Sequence, residues 1–290
     1  MIDQITIIFV NYKLNDLLLK NLKNLNNFKT IIVDNDSKSL LLDKLKDLKN
    51  ITYIRNSTNI GEGAAANIAL AKVKTKYTLY LNPDTFINLN DIVNLQIQYN
   101  TYSNIGVIAP IHIDKEGNYI VSYKLPYFTE YKVKRNSIQK KVYNKLNNLR
   151  PSGNISVKCI WGAPMFFETK IFKKIGFFNE IFFLFFEDNE LCDRIYKNNL
   201  SIIVTTFSKA FHYKDHKKNL DYKMLFLNSL HFTISQLRYF KINKKSTIKL
   251  NLRFFEYFVN FFKYIFLIKF TKSLINFSRM CGVIYYIFKG

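Results

Sequence analysis

Four short apolar runs alternate with helix-like segments in the first 85 residues, and this alternation constrains the fold most. Uninterrupted apolar runs are typical of strands that are buried on both faces. The segments between them are leucine-patterned or alanine-rich, as expected for helices. Alternation with short connections predicts an α/β fold with a doubly wound, mostly parallel sheet. The runs are ITIIFVNY (5–12), KTIIVDNDS (29–37), ITYIRN (51–56) and YTLYLNPDT (77–85).

Polar side chains follow three of these predicted strands. They are Asn11-Tyr12, Asp34-Asn35-Asp36 and Asn82-Pro83-Asp84. Because ligands bind beyond the carboxyl ends of parallel strands, the topology predicts that these groups meet at one edge of the sheet. Carboxylates and amides there would suit a nucleobase or a ribose. For Asp34-Asn35-Asp36 the alternative interpretation is a strand-end turn, where Asp and Asn are favoured.

Two glycines precede the alanine-rich segment in NIGEGAAAN (59–67). Free N–H groups at such a helix start can approach a phosphate. The spacing matches neither the dinucleotide fingerprint nor the Walker A loop. A tight turn into a helix explains the same residues.

Asp84 and His212 are candidate metal ligands. A strand-end carboxylate can bind a divalent cation that bridges a diphosphate. His212 follows a later predicted strand, SIIVTTF, and an imidazole there could complete the metal site or contact the diphosphate. The alternatives are a Pro-Asp turn for Asp84 and a structural role for His212.

The stretch FFLFFEDNELCDRI (182–195) runs from aromatic side chains directly into Glu187 and Asp188. Apolar neighbours raise the pKa of a carboxyl group, which suits a general base, and the aromatic side chains would then wall the site. The alternative is an acidic first helical turn, which the helix dipole favours. Arg194 lies four residues after Glu190, so the two side chains are expected to pair.

The net charge of +22 predicts an anionic partner: a nucleic acid, a membrane surface or a phosphorylated substrate. Residues 214–290 contribute 15 Lys and Arg against 3 acidic residues. This asymmetry predicts two regions. Residues 1–220 form a larger and less basic domain, and residues 221–290 form a basic helical appendage. The basic polar stretch that ends in RPSGN (150–154) predicts a loop.

Within the appendage, aromatic residues recur at helical spacing. They predict an interfacial helix on anionic lipid, and an ordinary core helix is the alternative. No recognisable nucleic-acid module is present, so no nucleic-acid partner is predicted. The residues are Phe254, Phe255, Phe258, Phe261, Phe262, Ile265 and Phe266, with Glu256, Asn260 and Lys263 on the other side.

Three widely separated cysteines predict neither a disulfide framework nor a zinc site, and they fit a reducing compartment. The first residues lack the basic start of a signal peptide. No run of 18 uncharged apolar residues occurs, so a membrane-spanning helix is not expected. We therefore predict a cytoplasmic protein that is peripheral to the inner face of the cell membrane. The sequence does not indicate an oligomeric state.

Taken in order, the motifs resemble those of glycosyltransferase family 2, especially its rhamnosyltransferase-like bacterial branch. They are VNYK, VDNDS, NIGEGAAANIALA, LNPDT, WGAPMFFETKIFKKIGFFNEIFFLFFEDNELCDRI and the later His212, spanning residues 5–212. The resemblance implies a GT-A fold, which is Rossmann-like, with a nucleotide-sugar donor, Mg²⁺ or Mn²⁺ as cofactor, and inversion at the anomeric carbon.

The resemblance also implies roles for individual residues. Asp188 would be the general base with Glu187 beside it, and Asp84 and His212 would be the metal-site residues. Asn179 and Glu190 stand where the family usually has Asp, which leaves the sugar specificity open. The acceptor side would be formed by Trp161, Gly162 and Ala163, and the donor side by Tyr12, Asp34, Asn35, Asn59, Gly61, Asn67 and Asn82.

The implied activity is an inverting, metal-dependent hexosyl transfer. The donor would be dTDP-rhamnose or a UDP-sugar, and the acceptor a hydroxyl of a lipid-linked cell-surface glycan. The alternatives are a non-catalytic nucleotide-sugar-binding protein and a basic membrane- or nucleic-acid-binding protein on the same fold.

Overall fold

The computed structural model describes residues 2–46, 48–125, 152–213, 221–243 and 250–290. Most of the predicted basic loop, residues 126–151, lies outside the described residues. The strands are β1 Ile5–Asn11, β2 Lys29–Asp34, β3 Ile51–Arg55, β4 Tyr77–Leu81, β5 Thr85–Phe86, β6 Ile105–Ile113, β7 Tyr119–Ile120, β8 Tyr123–Lys124, β9 Asn154–Ser156, β10 Cys159–Ile160, β11 Met165–Glu168 and β12 Ser201–His212.

A short 3₁₀ turn, Ile2–Gln4, precedes β1. The helices are α1 Asn15–Asn24, α2 Leu41–Lys44, α3 Glu62–Lys72, α4 Leu89–Thr101, α5 Thr169–Ile175, α6 Glu187–Lys197, α7 Tyr222–Ile242, α8 Leu250–Phe266 and α9 Phe270–Lys289.

One large mixed sheet organises the chain, with the strand order β3-β2-β1-β4-β11-β6-β12-β5. The four strands predicted from the first 85 residues pair in parallel and form one half of this sheet. In the other half, β11 is antiparallel to β4 and β6, whereas β12 is parallel to β6. The predicted α/β, Rossmann-like sheet with flanking helices and a C-terminal helical region is confirmed. The sheet is mixed, because β11, β5, β7 and β9 pair antiparallel with their neighbours.

Side chains on both faces of the sheet are buried, which explains the uninterrupted apolar runs. Neighbouring residues of β1 show this: Ile7 packs in the cluster with Leu18 and Ile92, and Ile8 packs in the other cluster with Ala66. The two clusters lie on opposite faces because side chains alternate along a strand. Polar side chains of the sheet can therefore reach a ligand only at the ends of the strands.

The chain divides into two compact units. The first contains Met1–Phe178 and Asp188–Tyr213, and the second contains Asn179–Glu187 and Lys214–Gly290. The segment 179–187, which carries the aromatic run, thus belongs with the C-terminal helices although more than twenty residues separate it from them in sequence.

In the second unit, α9 packs closely on α7 and α8. A Cβ on Gly282 would lie 2.9 Å from Thr233 Cβ, so only glycine allows this approach of α9 to α7. Ser278 Oγ donates a hydrogen bond to the Phe226 carbonyl of α7. Within the described part of the chain, none of the helices combines the length and apolar character that crossing a bilayer requires.

Candidate active site

Asp34, at the carboxyl end of β2, ties its strand to β1 and β3. Its Oδ1 accepts a hydrogen bond from Asn11 Nδ2 at 3.1 Å, and its Oδ2 accepts one from the Tyr53 hydroxyl at 3.0 Å. Burial, together with the Asp34 charge, raises the pKa of Tyr53 to about 12, so the phenol stays protonated and donates. Asp34 itself is fully buried. The edge of β1, β2 and β3 is therefore a rigid polar platform.

Asn35, Asn59 and Gly61 meet in the turn that precedes α3. Asn35 Nδ2 donates to the Gly61 carbonyl at 3.0 Å, and Asn59 Oδ1 accepts from the Gly61 N–H at 3.0 Å. Gly61 has φ +93°, a conformation that favours glycine. Asn35 Oδ1 also accepts from Asn56 Nδ2 at 2.8 Å. The structure thus brings three residues of the predicted donor side into one hydrogen-bonded turn.

Tyr12 follows β1 directly, next to Asn11, and is half-buried. The Lys13 ammonium lies 5.2 Å from the centre of the Tyr12 ring. Lys13 adopts φ +60°, so the chain turns sharply after the strand. Tyr12 therefore lies at the carboxyl edge of the sheet, and its predicted contact with a nucleoside stays a prediction.

Asn67 is engaged by the backbone of Phe178. Its Nδ2 donates to the Phe178 carbonyl at 2.9 Å, and its Oδ1 accepts from the Phe178 N–H at 2.9 Å. This amide pair joins α3 to the turn after α5. The predicted contact of Asn67 with the donor stays a prediction beside this structural role.

Asp84 and His212 are in contact although they are 128 residues apart in sequence. His212 Nε2 lies 3.2 Å from Asp84 Oδ2, because β5 pairs antiparallel with the end of β12. The Asp84 carbonyl also accepts from the Tyr213 N–H at 2.8 Å. The ring of His112, on β6, lies edge-on to that of His212 with centroids 6.1 Å apart.

This pair fits a divalent cation that shares its coordination sphere with phosphate and water. One carboxylate oxygen and one imidazole nitrogen are ligands that Mg²⁺ or Mn²⁺ accepts, and such ions commonly take other ligands from substrate phosphates. Among the described residues, His, Cys, Asp and Glu side chains form no cluster of three or more that would hold a metal ion. A cation here would therefore depend on its substrate for further ligands.

Gly162 lies between Asn82 and Asp188. Its N–H donates to Asp188 Oδ2 at 2.9 Å. A Cβ on Gly162 would lie 3.9 Å from Asn82 Nδ2, and the residue has φ +63°, so a side chain there would be strained. The Gly162 loop thus joins residues predicted for the donor side, the acceptor side and catalysis.

Trp161 and Ala163 flank this glycine differently. The indole is 40% exposed, and its ring centre lies 5.8 Å from the Lys124 ammonium. Ala163 is buried and is joined to Pro164 by a cis peptide bond. Trp161 is therefore the exposed side chain of this loop.

Asp188 accepts hydrogen bonds in an environment that raises the pKa of its carboxyl group. Its Oδ1 accepts from the Asn189 N–H at 2.7 Å and from Asn189 Nδ2 at 2.8 Å. Burial raises the pKa of the Asp188 carboxyl, and the N–H groups of Gly162 and Asn189 and the charge of Lys124 offset this only in part. A carboxylate with a raised pKa accepts a proton more readily. The hydrogen bonds also fix the orientation of both oxygens.

The chain before Asp188 is strained. Phe185 and Phe186 both have φ +69°, a left-handed conformation that costs a non-glycine residue roughly 1–2 kcal/mol. In the second unit, their rings pack on Phe232 and Tyr239 of α7, which stabilises them in this conformation. The aromatic run predicted to wall the site is thus packed on α7. Backbone strain of this kind is common beside functional residues.

The predicted pair of Glu190 and Arg194 is confirmed. Arg194 Nε lies 2.9 Å from both carboxylate oxygens of Glu190. The same guanidinium donates to the carbonyls of Ile175 and Gly176 at 2.6 Å each, and to that of Phe177. Arg194 therefore joins α6 to the turn that ends α5.

The family model for glycosyl transferase family 2 matches residues 6–176, more than half of the chain. The chain belongs to this family. The hexosyltransferase Agl10 of low-salt glycan biosynthesis in Haloferax volcanii is 29% identical over 211 residues, 70% of this chain and 64% of that protein. The dTDP-rhamnosyl transferase RfbF of Shigella flexneri is 22% identical over 203 residues, 66% and 64% of the two chains.

The chain thus spans less than two thirds of the length of these two relatives. Among solved structures, the mannosyltransferase PcManGT from Pyrobaculum calidifontis, in complex with GDP-Man and Mn²⁺, superposes with a TM-score of 0.55. It is 12% identical, and the alignment covers 98% of this chain and 74% of that one. At this identity the similarity shows the fold, which extends into the C-terminal helices.

Three residues of this family 2 chain, Asn189, Tyr53 and Lys124, lie in the site network without having been predicted there. Asn189 carried a weak signal, because it directly follows Asp188 and starts the helix. Tyr53 carried no signal, because it lies in the middle of β3 and not at a strand end. Lys124 carried none, since it comes from the irregular segment after β6.

Proposed function

We propose that this chain is an inverting glycosyltransferase in which Asp188 is the general base. The observation that carries the proposal is the environment of Asp188: a carboxyl group with a raised pKa, oriented by the N–H of Gly162 next to Asn82. The membership in glycosyl transferase family 2 supports transfer from a nucleotide sugar.

In this reaction, an acceptor hydroxyl attacks the anomeric carbon of the donor. The new C–O bond forms as the bond from that carbon to the diphosphate oxygen breaks, and the hydroxyl proton passes to Asp188. A single displacement inverts the configuration and needs no covalent enzyme intermediate. Asp188 can hold the proton because burial disfavours its ionised form.

The donor would lie across the polar platform at the strand ends. Asp34 and Asn35 hold this edge rigid, and Tyr12 lies beside it, so little reordering is needed when a nucleoside binds. The relative named a dTDP-rhamnosyl transferase supports dTDP-rhamnose as donor, and a UDP-sugar is the second candidate.

Asp84 and His212 would hold Mg²⁺ or Mn²⁺, as their contact and donor atoms suit such an ion. When bound, the cation supplies charge neutralisation for the departing diphosphate. The presence of Mn²⁺ in the similar mannosyltransferase structure supports this assignment. In addition to holding the cation, the contact of Asp84 with His212 would help to hold the end of β12 against β5.

We propose a lipid-linked cell-surface glycan as the acceptor. The name of the relative in low-salt glycan biosynthesis supports a glycan, and the basic region 221–290 supports a membrane surface. Trp161 offers its exposed ring face to a sugar of the acceptor. The enzyme would then work at the cytoplasmic face of the membrane, with residues 1–220 as the catalytic part.

The test compares Asp188→Asn with wild type in a panel of nucleotide sugars and divalent metals. Asparagine cannot take the proton, so we expect transfer to fall by at least about 100-fold. Donor affinity, measured by calorimetry, should stay within a few-fold because the platform is untouched. The control is Asp16→Asn, whose side chain is 94% exposed. Undiminished transfer by Asp188→Asn would overturn the assignment.

A further inference from the structure

The helix α8 turns an apolar face to solvent. Leu252, Phe255, Val259, Phe262 and Phe266 are spaced three and four residues apart, so they lie on one side of the helix, which we name the outer face of α8. Their exposed fractions are 61, 62, 47, 42 and 82%. Contiguous exposed apolar surface of this kind marks an interaction site.

The fold of the second unit uses the other side of α8. The rings of Phe261 and Phe277 lie 5.7 Å apart, and the Arg279 guanidinium lies 5.7 Å from the Tyr257 ring centre. Ser273 Oγ donates to the Phe261 carbonyl at 3.2 Å. Packing on α9 therefore does not require the outer face to be apolar.

The turn between α8 and α9 contains a residue with an unusual backbone conformation, Ile268. Lys269 N–H donates to the Tyr264 carbonyl at 2.8 Å and Ile268 N–H to that of Ile265 at 2.9 Å, the pattern of a Schellman helix end. Ile268 occupies the left-handed position, with φ +53°, where glycine is preferred and a branched side chain is strained.

The Ile268 side chain is 76% exposed, so burial does not compensate for its strained backbone. Its neighbours Phe266 and Phe270 are 82% and 65% exposed. We name residues 266–270 the hairpin tip. Among the described residues, neither helix termination nor core packing accounts for apolar side chains here, which favours a partner that covers them.

The positive charge of the residues around the hairpin tip indicates which kind of partner covers it. Residues 250–290 contain six Lys and Arg, and Glu256 is the single acidic residue among them. Lys263, Lys269 and Lys272 lie within a turn or so of the tip. An apolar face with a cationic border fits an anionic lipid surface, where the side chains enter the acyl boundary and lysines meet phosphates. A second copy of a chain with net charge +22 would be repelled.

We propose that the hairpin tip and the outer face of α8 dock the protein on an anionic bilayer surface without crossing it. This deepens the proposed function, because docking would bring the enzyme to the surface that carries a lipid-linked acceptor. Only this biological role of the docking rests on the proposed function. Vesicle binding needs no sugar transfer, and transfer to a soluble acceptor needs no vesicle. The failure of either proposal is therefore seen separately.

The test is flotation of the full chain with vesicles of phosphatidylcholine alone and of phosphatidylcholine mixed with phosphatidylglycerol. Wild type should float with the anionic vesicles only. Phe266→Ser and Ile268→Gly should each bind them about tenfold more weakly, since each removes an inserted side chain. Ile268→Gly is the sharper variant, because glycine suits the left-handed position and should not lower the Tm.

The matched control is Tyr222→Ser, which removes an aromatic side chain that is 68% exposed at the start of α7 in the same unit. It should float like wild type. Unchanged flotation of both tip variants would overturn the proposal. So would a concentration-dependent dimer in light scattering that Ile268→Gly abolishes, since the tip would then join two copies of the chain.

Discussion

The backbone N–H of Gly162 donates a 2.9 Å hydrogen bond to Oδ2 of Asp188, across 26 residues of sequence. This contact fixes the start of α6 to the loop that carries Trp161. It leaves the Asp188 carboxylate oriented and partly desolvated, and burial raises its pKa. The proposed base and the loop proposed to face the acceptor are thus held together by one hydrogen bond.

Asp188 should make the stability of the protein depend on pH. Its pKa is raised above 3.8 in the folded state, so the folded chain binds this proton more tightly than the unfolded chain. The resulting stabilisation is complete below 3.8 and is lost as pH rises through the raised pKa. Relative to Asp188→Asn, the wild-type free energy of unfolding should decline across that window, as measured by urea titration. A difference that increases with pH would contradict the pKa shift.

Asn189 should set the acid limb of the pH–rate profile. Its Nδ2 donates at 2.8 Å to Asp188 Oδ1 and so stabilises the ionised carboxylate. We expect Asn189→Ala to raise the pKa of Asp188 further and to move the acid limb of kcat/KM to higher pH. Asn198→Ala, which removes an exposed amide at the end of the same helix, is the control and should leave the profile in place. An unmoved limb in Asn189→Ala would argue against Asp188 as the base.

Asn67 should contribute to stability through the Phe178 backbone. Asn67→Ala removes the hydrogen bonds to the N–H and to the carbonyl of Phe178, so we expect the free energy of unfolding to fall by about 1–3 kcal/mol. Asn94→Ala, which removes one exposed hydrogen bond to Phe207, should change stability by less than about 0.5 kcal/mol. The KM for the donor then tells whether Asn67 also contacts it, since a purely structural role would leave KM unchanged in the folded fraction.

Asp84 and His212 should act together in metal-dependent donor binding. Asp84→Ala and His212→Ala should each weaken binding of the nucleotide diphosphate in Mn²⁺ by roughly tenfold or more, with little further loss in the double variant. Calorimetry with Mn²⁺ and with excess EDTA separates this from metal-independent binding. Asp43→Ala, an exposed carboxylate on α2, is the control. Full Mn²⁺ dependence in Asp84→Ala would exclude it as a ligand.

The sequence by itself determined the secondary structure elements and the contacts between residues close in sequence or at neighbouring strand ends. The apolar runs specified the parallel strands, because a strand buried on both faces has no polar position to spare. Strand-end polarity foretold the contact of Asn11 with Asp34, and the spacing of four foretold the pair of Glu190 and Arg194. These signals are short-range, so they could be found without the fold.

Only the tertiary structure decided which distant groups meet. The contact of Asp84 with His212 depends on the register of β5 and β12, and that of Asn67 with Phe178 on the packing of α3. The packing of the aromatic run, residues 182–186, on α7 is also a tertiary contact, because apolar side chains pack where apolar surface is available. The periodicity of a sequence predicts which face of a helix or strand is buried. Only the topology of the fold determines which other element packs against that face.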